Sequence, residues 1–263
     1  MLTFKQYVRP QTLEEAYTLC QKRSNLVLGG MLWLKMQSRS VNTAIDLCDL
    51  GLDGITQDEN SWHLGAMVSL RTLETHEGLN AQTQGAFREA LRHIVGVQFR
   101  NCATLGGSLY GRFGFSDVLT LFQVLDAQVV LYHRGAMSVA DFAKLPRGTR
   151  DILTEVIVPK VPMSVSYLSQ RNTATDFPVL ACAVSRIGKK ITCAIGARPG
   201  AARPYGDDDH LLDGGITEST AKAFAHALSR KVPFESNVRA GADYRQRICA
   251  VLVRRALLQL EEN

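Results

Sequence analysis

The sequence predicts an α+β protein in two parts, and three observations support that class. Two pairs of adjacent glycines, Gly29–Gly30 and Gly106–Gly107, each follow a short apolar run. Alternating strand-like and short helical segments fill the first part, and Pro159 and Pro162 mark a boundary after it. Beyond that boundary, strand-like runs are followed by two helical ones. Such a second part is typical of a sheet covered by helices on one face.

The composition describes an ordinary globular chain. It has 263 residues, of which 46% are hydrophobic and 21% charged. The formal net charge is +5, but Lys and Arg are scattered and no basic run is interleaved with aromatics, which argues against nucleic-acid binding. No apolar run approaches the roughly 20 residues of a spanning helix, and MLTFKQYVRP lacks the apolar region of a signal peptide. We therefore expect a cytoplasmic protein that binds neither membranes nor nucleic acid.

The cysteines and histidines do not predict a metal site. The six cysteines are widely separated and never form CxxC, so neither a zinc site nor an iron–sulfur cluster is indicated. Reduced, mostly buried thiols are expected instead. The histidines form no HxxxH or HExxH motif. We also find no hydrolytic triad and no paired acid and base, as expected where a bound cofactor carries the reaction. We therefore predict neither a catalytic residue nor a metal ligand.

The first glycine pair lies between a predicted strand, Leu26 to Leu28, and a segment from Met31 to Gln37 that is predicted to be helical. A strand, a glycine turn and a helix N-terminus form an anion site, because unpaired N–H groups and the helix dipole face the ligand. Glycines permit left-handed backbone and leave no Cβ in the way. Taken alone, the pair Gly106–Gly107 could instead be a tight turn without a ligand. With Gly106–Gly107 forming a second loop, the two could hold both ends of one diphosphate.

The second pair stands in the stretch RNCATLGGSLYGRFGFSD, from Arg100 to Asp117. With the first pair, it resembles the flavoprotein, or medium, subunit of molybdenum hydroxylases such as xanthine dehydrogenase and carbon monoxide dehydrogenase. In that family one FAD-binding loop has the form AGGT, and LGGM stands here at 28–31. The other has the form ATIGGNL followed by SD, matched by ATLGGSL at 103–109 and by SD at 116–117. The resemblance covers the whole chain.

The resemblance implies an α+β fold with a two-part, PCMH-type FAD-binding domain over residues 1–160. A smaller α+β domain, a sheet with helices on one face, is implied over 163–263. The implied FAD-binding residues come from the two loops and the SD pair: Leu28, Gly29, Gly30, Met31, Leu32, Ala103, Thr104, Gly106, Gly107, Ser108, Ser116 and Asp117.

Three positions depart from the family pattern. Met31 replaces a threonine whose hydroxyl would donate to phosphate, which leaves binding there to backbone amides. Ser108 replaces the usual asparagine, and Gly114 a common proline. Asp117 is retained and is expected to accept hydrogen bonds from sugar or ribityl hydroxyls. The alternative for Asp117 is the N-cap of the helical segment VLTLFQVL.

The resemblance also implies a function and partners. Electrons from a substrate oxidised at a molybdopterin centre on a large subunit would pass through 2Fe–2S clusters on a small subunit to FAD here. FAD would then reduce NAD or another acceptor. Two alternatives stay open: a free-standing flavin oxidoreductase of related fold, and a divergent, flavin-free subunit that only bridges partners.

The remaining elements follow in chain order. Thr12, with Glu15 three residues later, is a capping-box signature for a short helix. TAIDL and SWHLGA are predicted strands, and the helical LRTLETHEGL follows Ser69. A longer helix is predicted from Thr83 to Ile94, with Gly96 as its stop. AQVVLYH and ILTEVIVP are two further predicted strands.

The C-terminal part is predicted to contain a hairpin that turns at Gly188 and helices over Glu218 to Ser229 and Tyr244 to Leu260. One face of the last helix carries an apolar stripe, which indicates core or a subunit contact, and we favour core. Its members are Ile248, Val251, Leu252, Ala256 and Leu260.

Overall fold

The computed structural model describes residues 1–262, which form two compact units, neither continuous in sequence. The first unit comprises Met1–Thr72, Val97–Gly111 and Ala127–Pro159; the second comprises Leu73–Gly96, Arg112–Asp126 and the chain from Lys160 onward. Asn263, the last residue of the expected C-terminal domain, lies outside the described residues. The chain thus passes from the first unit to the second between Gly111 and Arg112, inside the stretch 100–117 that contains the second glycine pair.

The first unit contains two sheets. A parallel sheet has the order β1-β3-β2, with β1 (Thr3–Val8), β2 (Leu26–Leu28) and β3 (Ser40–Asp46). An antiparallel sheet has the order β4-β5-β8-β6-β7. Its strands are β4 (Ile55–Gln57), β5 (Ser61–Gly65), β6 (Gln128–Leu131), β7 (Gly135–Ser138) and β8 (Leu153–Pro159). The strands predicted in these segments are confirmed.

Helix α1 (Leu13–Cys20) begins as the sequence predicts. Thr12 Oγ1 accepts a hydrogen bond from the Glu15 N–H at 3.1 Å. The Glu15 carboxylate reaches back one residue further than in a standard capping box, to the N–H of Gln11 at 2.9 Å. The first bond satisfies an N–H group that the helix itself leaves unpaired, and the second fixes the residue before the cap. The other helices that lie wholly in this unit are α5 (Val97–Cys102), α6 (Leu105–Tyr110) and α8 (Val139–Lys144).

Two predicted helices are wrong in extent. The segment from Met31 to Gln37 contains only a 3₁₀ turn, Leu34–Met36, because Met31 is left-handed and Gln37 is extended. The helix predicted from Thr83 to Ile94 is α4 (Ala86–Leu91), since Gln84 and Gly85 have φ angles of 47° and 82°. Left-handed residues at the ends of these segments break the α-helical path. LRTLETHEGL likewise divides into α2 (Leu70–Thr75) and α3 (Glu77–Gln82).

The second unit is built on one antiparallel sheet of order β12-β11-β10-β9. Its strands are β9 (Met163–Arg171), β10 (Pro178–Ile187), β11 (Lys190–Gly196) and β12 (Arg203–Tyr205). The hairpin predicted at Gly188 is confirmed, and Gly188 has a φ of 59° between the paired residues Ile187 and Lys190. Helices α7 (Asp117–Phe122), α9 (Glu218–Lys231) and α10 (Ala242–Glu262) complete the unit with α3 and α4.

Helices cover the central strand β10 on both faces. Leu180, Cys182 and Val184 point into a core shared with α9 and α10. On the opposite face, Ser185 Oγ donates to the Val124 carbonyl at 2.5 Å, and α7 and α4 pack on the sheet. Burial on both faces explains why β10 is almost entirely apolar. The α+β class is confirmed, and the covering by α4 and α7 is an addition that the sequence did not indicate.

The apolar stripe of α10 is mostly core. Leu252, Ala256 and Leu260 are buried and Ile248 is partly buried against the same core. Val251 is the exception, because 37% of it is exposed. The buried face of α10 is therefore narrower than the apolar stripe that the sequence predicts.

The cysteines are free and mostly buried, as the sequence predicts. The buried ones are Cys20, Cys182, Cys193 and Cys249, whereas Cys48 and Cys102 are exposed. Among residues 1–262, no helix is long and apolar enough to cross a membrane.

Candidate functional site

The two glycine motifs, distant in sequence, meet in the first unit. A Cβ placed on Gly29 would lie 2.7 Å from Thr104 Oγ1 and 3.3 Å from the Cα of Gly107. A Cβ on Gly107 would lie 3.0 Å from the same Thr104 Oγ1. Gly29 after β2 and Gly107 in α6 therefore approach each other closely, with the Thr104 hydroxyl beside both. We call residues 28–32 and 102–108 together the glycine cradle.

Backbone oxygens close the cradle at two further positions. A Cβ on Gly30 would lie 1.7 Å from the Cys102 carbonyl oxygen, which is an impossible distance. A Cβ on Gly106 would lie 2.8 Å from the Ala66 carbonyl oxygen, which accepts the Gly106 N–H at 2.7 Å. Packing of backbone on backbone thus requires glycine at both positions.

The conformation of these glycines differs from the expectation. Neither pair is left-handed, because the glycines with positive φ are Gly51, Gly85, Gly135, Gly188 and Gly215. Gly106 and Gly107 lie inside α6 and form neither a loop nor a tight turn. The expected left-handed glycines are therefore wrong for both pairs, and close approach is the reason for glycine here.

The first loop presents N–H groups that have no hydrogen-bond partner among the described residues. Within residues 1–262, no hydrogen bond is formed by the N–H groups of Gly30, Met31 or Leu32. Met31 has a φ of 60°, and all three residues are partly exposed. Successive N–H groups around one left-handed residue form a concave nest that suits an anion. This is the backbone chemistry that a phosphate requires, and no side chain has to supply it.

Thr104 and Ser108 stabilise the start of α6. Thr104 Oγ1 caps the helix by accepting the Gly107 N–H at 3.1 Å, and Ser108 Oγ donates to the Thr104 carbonyl at 2.8 Å. Leu28 and Ala103, at the ends of the two segments, are buried. The side chains of this motif therefore position the backbone.

Ser116 and Asp117 lie in the second unit and are described there. Ser116 caps α7, because its Oγ accepts the Leu119 N–H at 3.0 Å. The alternative role of Asp117 as the N-cap is therefore wrong by one residue. Asp117 Oδ1 accepts hydrogen bonds from Tyr167 Oη and from Arg171 Nη2, both at 2.5 Å.

The Asp117 carboxylate is almost inaccessible, with 5% of the residue exposed. Burial raises the pKa of Asp117, and the adjacent Arg171 guanidinium limits that rise. Burial also raises the pKa of Tyr167 above its ordinary value, and the Asp117 charge adds to this effect. One carboxylate oxygen is thus already engaged by the protein. A hydroxyl-binding role for Asp117 stays a prediction.

Gly114, which stands where the family often has proline, has a packing reason of its own. A Cβ there would lie 1.9 Å from the Pro199 carbonyl oxygen, and the Gly114 carbonyl accepts the Ala197 N–H at 2.8 Å. This close approach within the second unit leaves no room for a side chain.

Sequence analysis missed several residues that shape these regions. Cys102 and Ala66 act through their carbonyl oxygens, which any residue would supply. Arg171 and Tyr167 lie about fifty residues beyond Asp117, and no local pattern connects them. Among residues 1–262, no group of three or more His, Cys, Asp or Glu side chains could hold a metal ion.

Comparison with known families matches both parts of the chain. The family described as "FAD binding domain in molybdopterin dehydrogenase" matches residues 2–161. This chain belongs to that family. The family described as "CO dehydrogenase flavoprotein C-terminal domain" matches residues 166–260. The predicted membership among molybdenum hydroxylase flavoproteins is thereby confirmed.

Similar proteins extend over the full length. The chain is 26% identical to the nicotine 6-hydroxylase medium subunit of Paenarthrobacter nicotinovorans, over 96% of each chain. It is 26% identical to the carbon monoxide dehydrogenase medium chain of Afipia carboxidovorans, over 95% of this chain and 94% of that one. The fold is that of a chain in quinoline 2-oxidoreductase from Pseudomonas putida 86, with a TM-score of 0.84, 20% identity, and coverage of 98% and 97%.

The glycine cradle fits the cofactor of this family, which is FAD. It offers unpaired N–H groups at Gly30, Met31 and Leu32 and requires glycine where backbones approach closely. These residues would hold an anionic diphosphate without a charged side chain. FAD, when bound, supplies two-electron redox chemistry that no side chain of the cradle provides.

Proposed function

We propose that this chain is the FAD-binding, electron-transfer subunit of a molybdenum hydroxylase complex. In this proposal a small subunit with 2Fe–2S clusters delivers electrons that a molybdopterin-containing large subunit removes from an organic substrate. FAD on this chain passes them to NAD or another acceptor. Family membership supports the subunit's role, and the names "medium subunit" and "medium chain" of the relatives support assembly with partners.

The observation that carries the proposal is the meeting of Gly29 and Gly107 beside unpaired N–H groups. The flavin site on this chain would thus depend on backbone geometry more than on side-chain identity. Met31 and Ser108, which depart from the family pattern, are compatible with such a site because the N–H group is common to all residues except proline. The cytoplasmic location expected from the sequence stays a prediction.

A titration tests FAD binding directly. Flavin fluorescence is measured while the purified chain, freed of flavin, is added to FAD. The Gly30→Ala variant places a Cβ against the Cys102 carbonyl, and relief of this clash would move the loop whose N–H groups would face the diphosphate. It should therefore bind FAD about 10- to 100-fold more weakly. Gly54→Ala is the matched control, because no atom lies within 4 Å of a Cβ at Gly54.

The outcomes separate the alternatives. A folded wild-type chain that binds no FAD would instead favour the flavin-free bridging subunit. A chain that binds FAD and oxidises an organic substrate without partners would favour the free-standing oxidoreductase. Co-purification from the native source with subunits that contain iron and molybdenum would support the electron-transfer assignment.

A further inference from the structure

The outer surface of α9 and α10 carries a dense positive charge. On α10 one exposed stripe contains Tyr244, Arg247, Val251 and Arg255, spaced by three, four and four residues. On α9 a second exposed stripe contains Lys222, His226 and Arg230, each four residues apart. These spacings place each set on one side of its helix. We call the two stripes together the basic helical face.

The two stripes run side by side, since the helices are antiparallel neighbours. Arg254 on α10 forms an ion pair with Glu218 at the start of α9, and Gln246 donates to the carbonyl of Ser229 near its end at 3.2 Å. The inner sides of both helices are buried in the core of the second unit. The outer sides therefore form one continuous surface.

Acidic residues do not balance this surface. Between positions 244 and 260 there are four arginines and no Asp or Glu, and the acidic residues of α10, Asp243, Glu261 and Glu262, lie at its two ends. Arg245 is buried and donates to backbone carbonyls, and Arg254 pairs with Glu218. Within the part of the chain that is described, no ion pair is formed by Arg247, Arg255, Lys222 or Arg230. Four cations are thus left for an external partner.

We propose that the basic helical face docks an acidic surface of another protein subunit, an inference that rests on the proposed membership in a complex. Arginine and tyrosine are enriched in protein interfaces, and both occur on this face beside the exposed Val251. A membrane fits less well, because a helix that lies on a membrane needs a broad exposed apolar face and the apolar faces of α9 and α10 are buried in the core. Nucleic acid fits less well, because no basic run of the sequence is interleaved with several aromatics. Opposite charge on the partner would speed association and fix the docking orientation.

The experiment compares two double variants in the complex reconstituted from this chain with the iron–sulfur and molybdopterin subunits of its own organism. Arg247→Glu/Arg255→Glu should weaken association about tenfold or more and reduce its dependence on salt, because a repulsive contact replaces an attractive one. Lys5→Glu/Lys189→Glu changes the net charge equally at exposed positions on other elements and should leave affinity within about twofold. A carbodiimide should in addition join Lys222 to a carboxylate of the partner.

Two results would contradict the docking of the basic helical face. Equal affinity of the two double variants for the partner subunits would overturn the docking surface. Binding of the wild-type chain to phosphatidylglycerol vesicles, lost in Arg247→Glu/Arg255→Glu while subunit association is unchanged, would also overturn it in favour of a lipid surface. FAD titration of the wild-type chain and of every variant distinguishes the two proposals. A wild-type chain that binds no FAD would count against the proposed function and not against this surface.

Discussion

Gly107 of the glycine cradle in the first unit and Asp117 in the second stand in one stretch of sequence, 100–117. The cradle and the cluster of Asp117, Tyr167 and Arg171 are nevertheless built on opposite principles. In the cradle, backbones touch because Gly29, Gly30 and Gly107 have no side chains. In the cluster, side chains fill the space, and Asp117 is held by Arg171 and Tyr167. The difference teaches that adjacent motif positions serve separate tasks, one steric and one electrostatic.

The largest effect on stability is expected from a substitution that removes the cation beside Asp117. Arg171→Leu leaves Asp117 buried without its cation and should lower the free energy of unfolding by about 3 to 5 kcal/mol. Urea denaturation followed by circular dichroism measures the loss. Arg92→Leu is the control: Arg92 pairs with Glu89 at 2.8 Å but is half exposed, so a change within about 1 kcal/mol is expected.

A double variant sharpens this result. Asp117→Asn/Arg171→Leu removes both charges, and it should be less destabilised than Arg171→Leu alone, because no uncompensated buried charge remains. A double variant as unstable as the sum of the single ones would show that the pair is not coupled.

In the glycine cradle, the loss of stability on replacing a glycine should grow with the closeness of the contact that the new Cβ makes. Gly30→Ala meets a backbone carbonyl at 1.7 Å and should destabilise the protein by about 1 to 3 kcal/mol. Gly107→Ala meets a threonine hydroxyl at 3.0 Å inside a helix, where alanine is favoured over glycine by roughly 0.5 to 1 kcal/mol, so a nearly neutral effect is expected. Thermal unfolding of both variants checks the ranking, and equal losses would show that the cradle is not organised around the Cys102 carbonyl.

Met31 tests the conformation of the loop. Left-handed backbone costs an ordinary residue about 1 to 2 kcal/mol, so Met31→Gly should stabilise the protein by up to about 1 kcal/mol after the entropy cost of glycine. Met31→Thr restores the hydroxyl of the family pattern but places a β-branched residue at a φ of 60°, which should destabilise the protein. A more stable threonine variant in urea denaturation would contradict the left-handed assignment.

The smallest effect is expected at His63 on β5 of the first unit, outside the glycine cradle and the cluster around Asp117. His63 contacts Asp58 through Nε2 and Glu155 through Nδ1, each at 3.0 Å, and the hydrogen bond with Asp58 contributes most to raising the pKa of His63. A raised pKa means that its contribution to stability is complete below the unfolded-state pKa of about 6.5 and is lost as pH rises through the folded-state pKa. His63→Gln should therefore lose more stability at pH 6 than at pH 9, by about 1 kcal/mol or less. Tm measured across that range for both proteins provides the check, and a pH-independent difference would contradict it.

The sequence alone determined the α+β class, the α1 cap at Thr12, the strand Leu26–Leu28, the hairpin at Gly188 and the two C-terminal helices. The cap and the hairpin depend on neighbours within a few residues, and the strand and the helices show their hydrophobic pattern along the chain, so local pattern suffices. The family membership also followed from the two glycine motifs, because their order and spacing are read directly from the chain.

Only the tertiary structure decided what those motifs do. Gly107 lies in a helix and not in a loop because the start of α6 must pass against Gly29, seventy-odd residues away. Asp117 is buried because β9 brings Tyr167 and Arg171 to it. The helix expected after Met31 is reduced to one 3₁₀ turn by a left-handed residue that no propensity predicts. For Gly107 and Asp117, a contact between distant segments outweighs a local preference worth less than about 1 kcal/mol per residue.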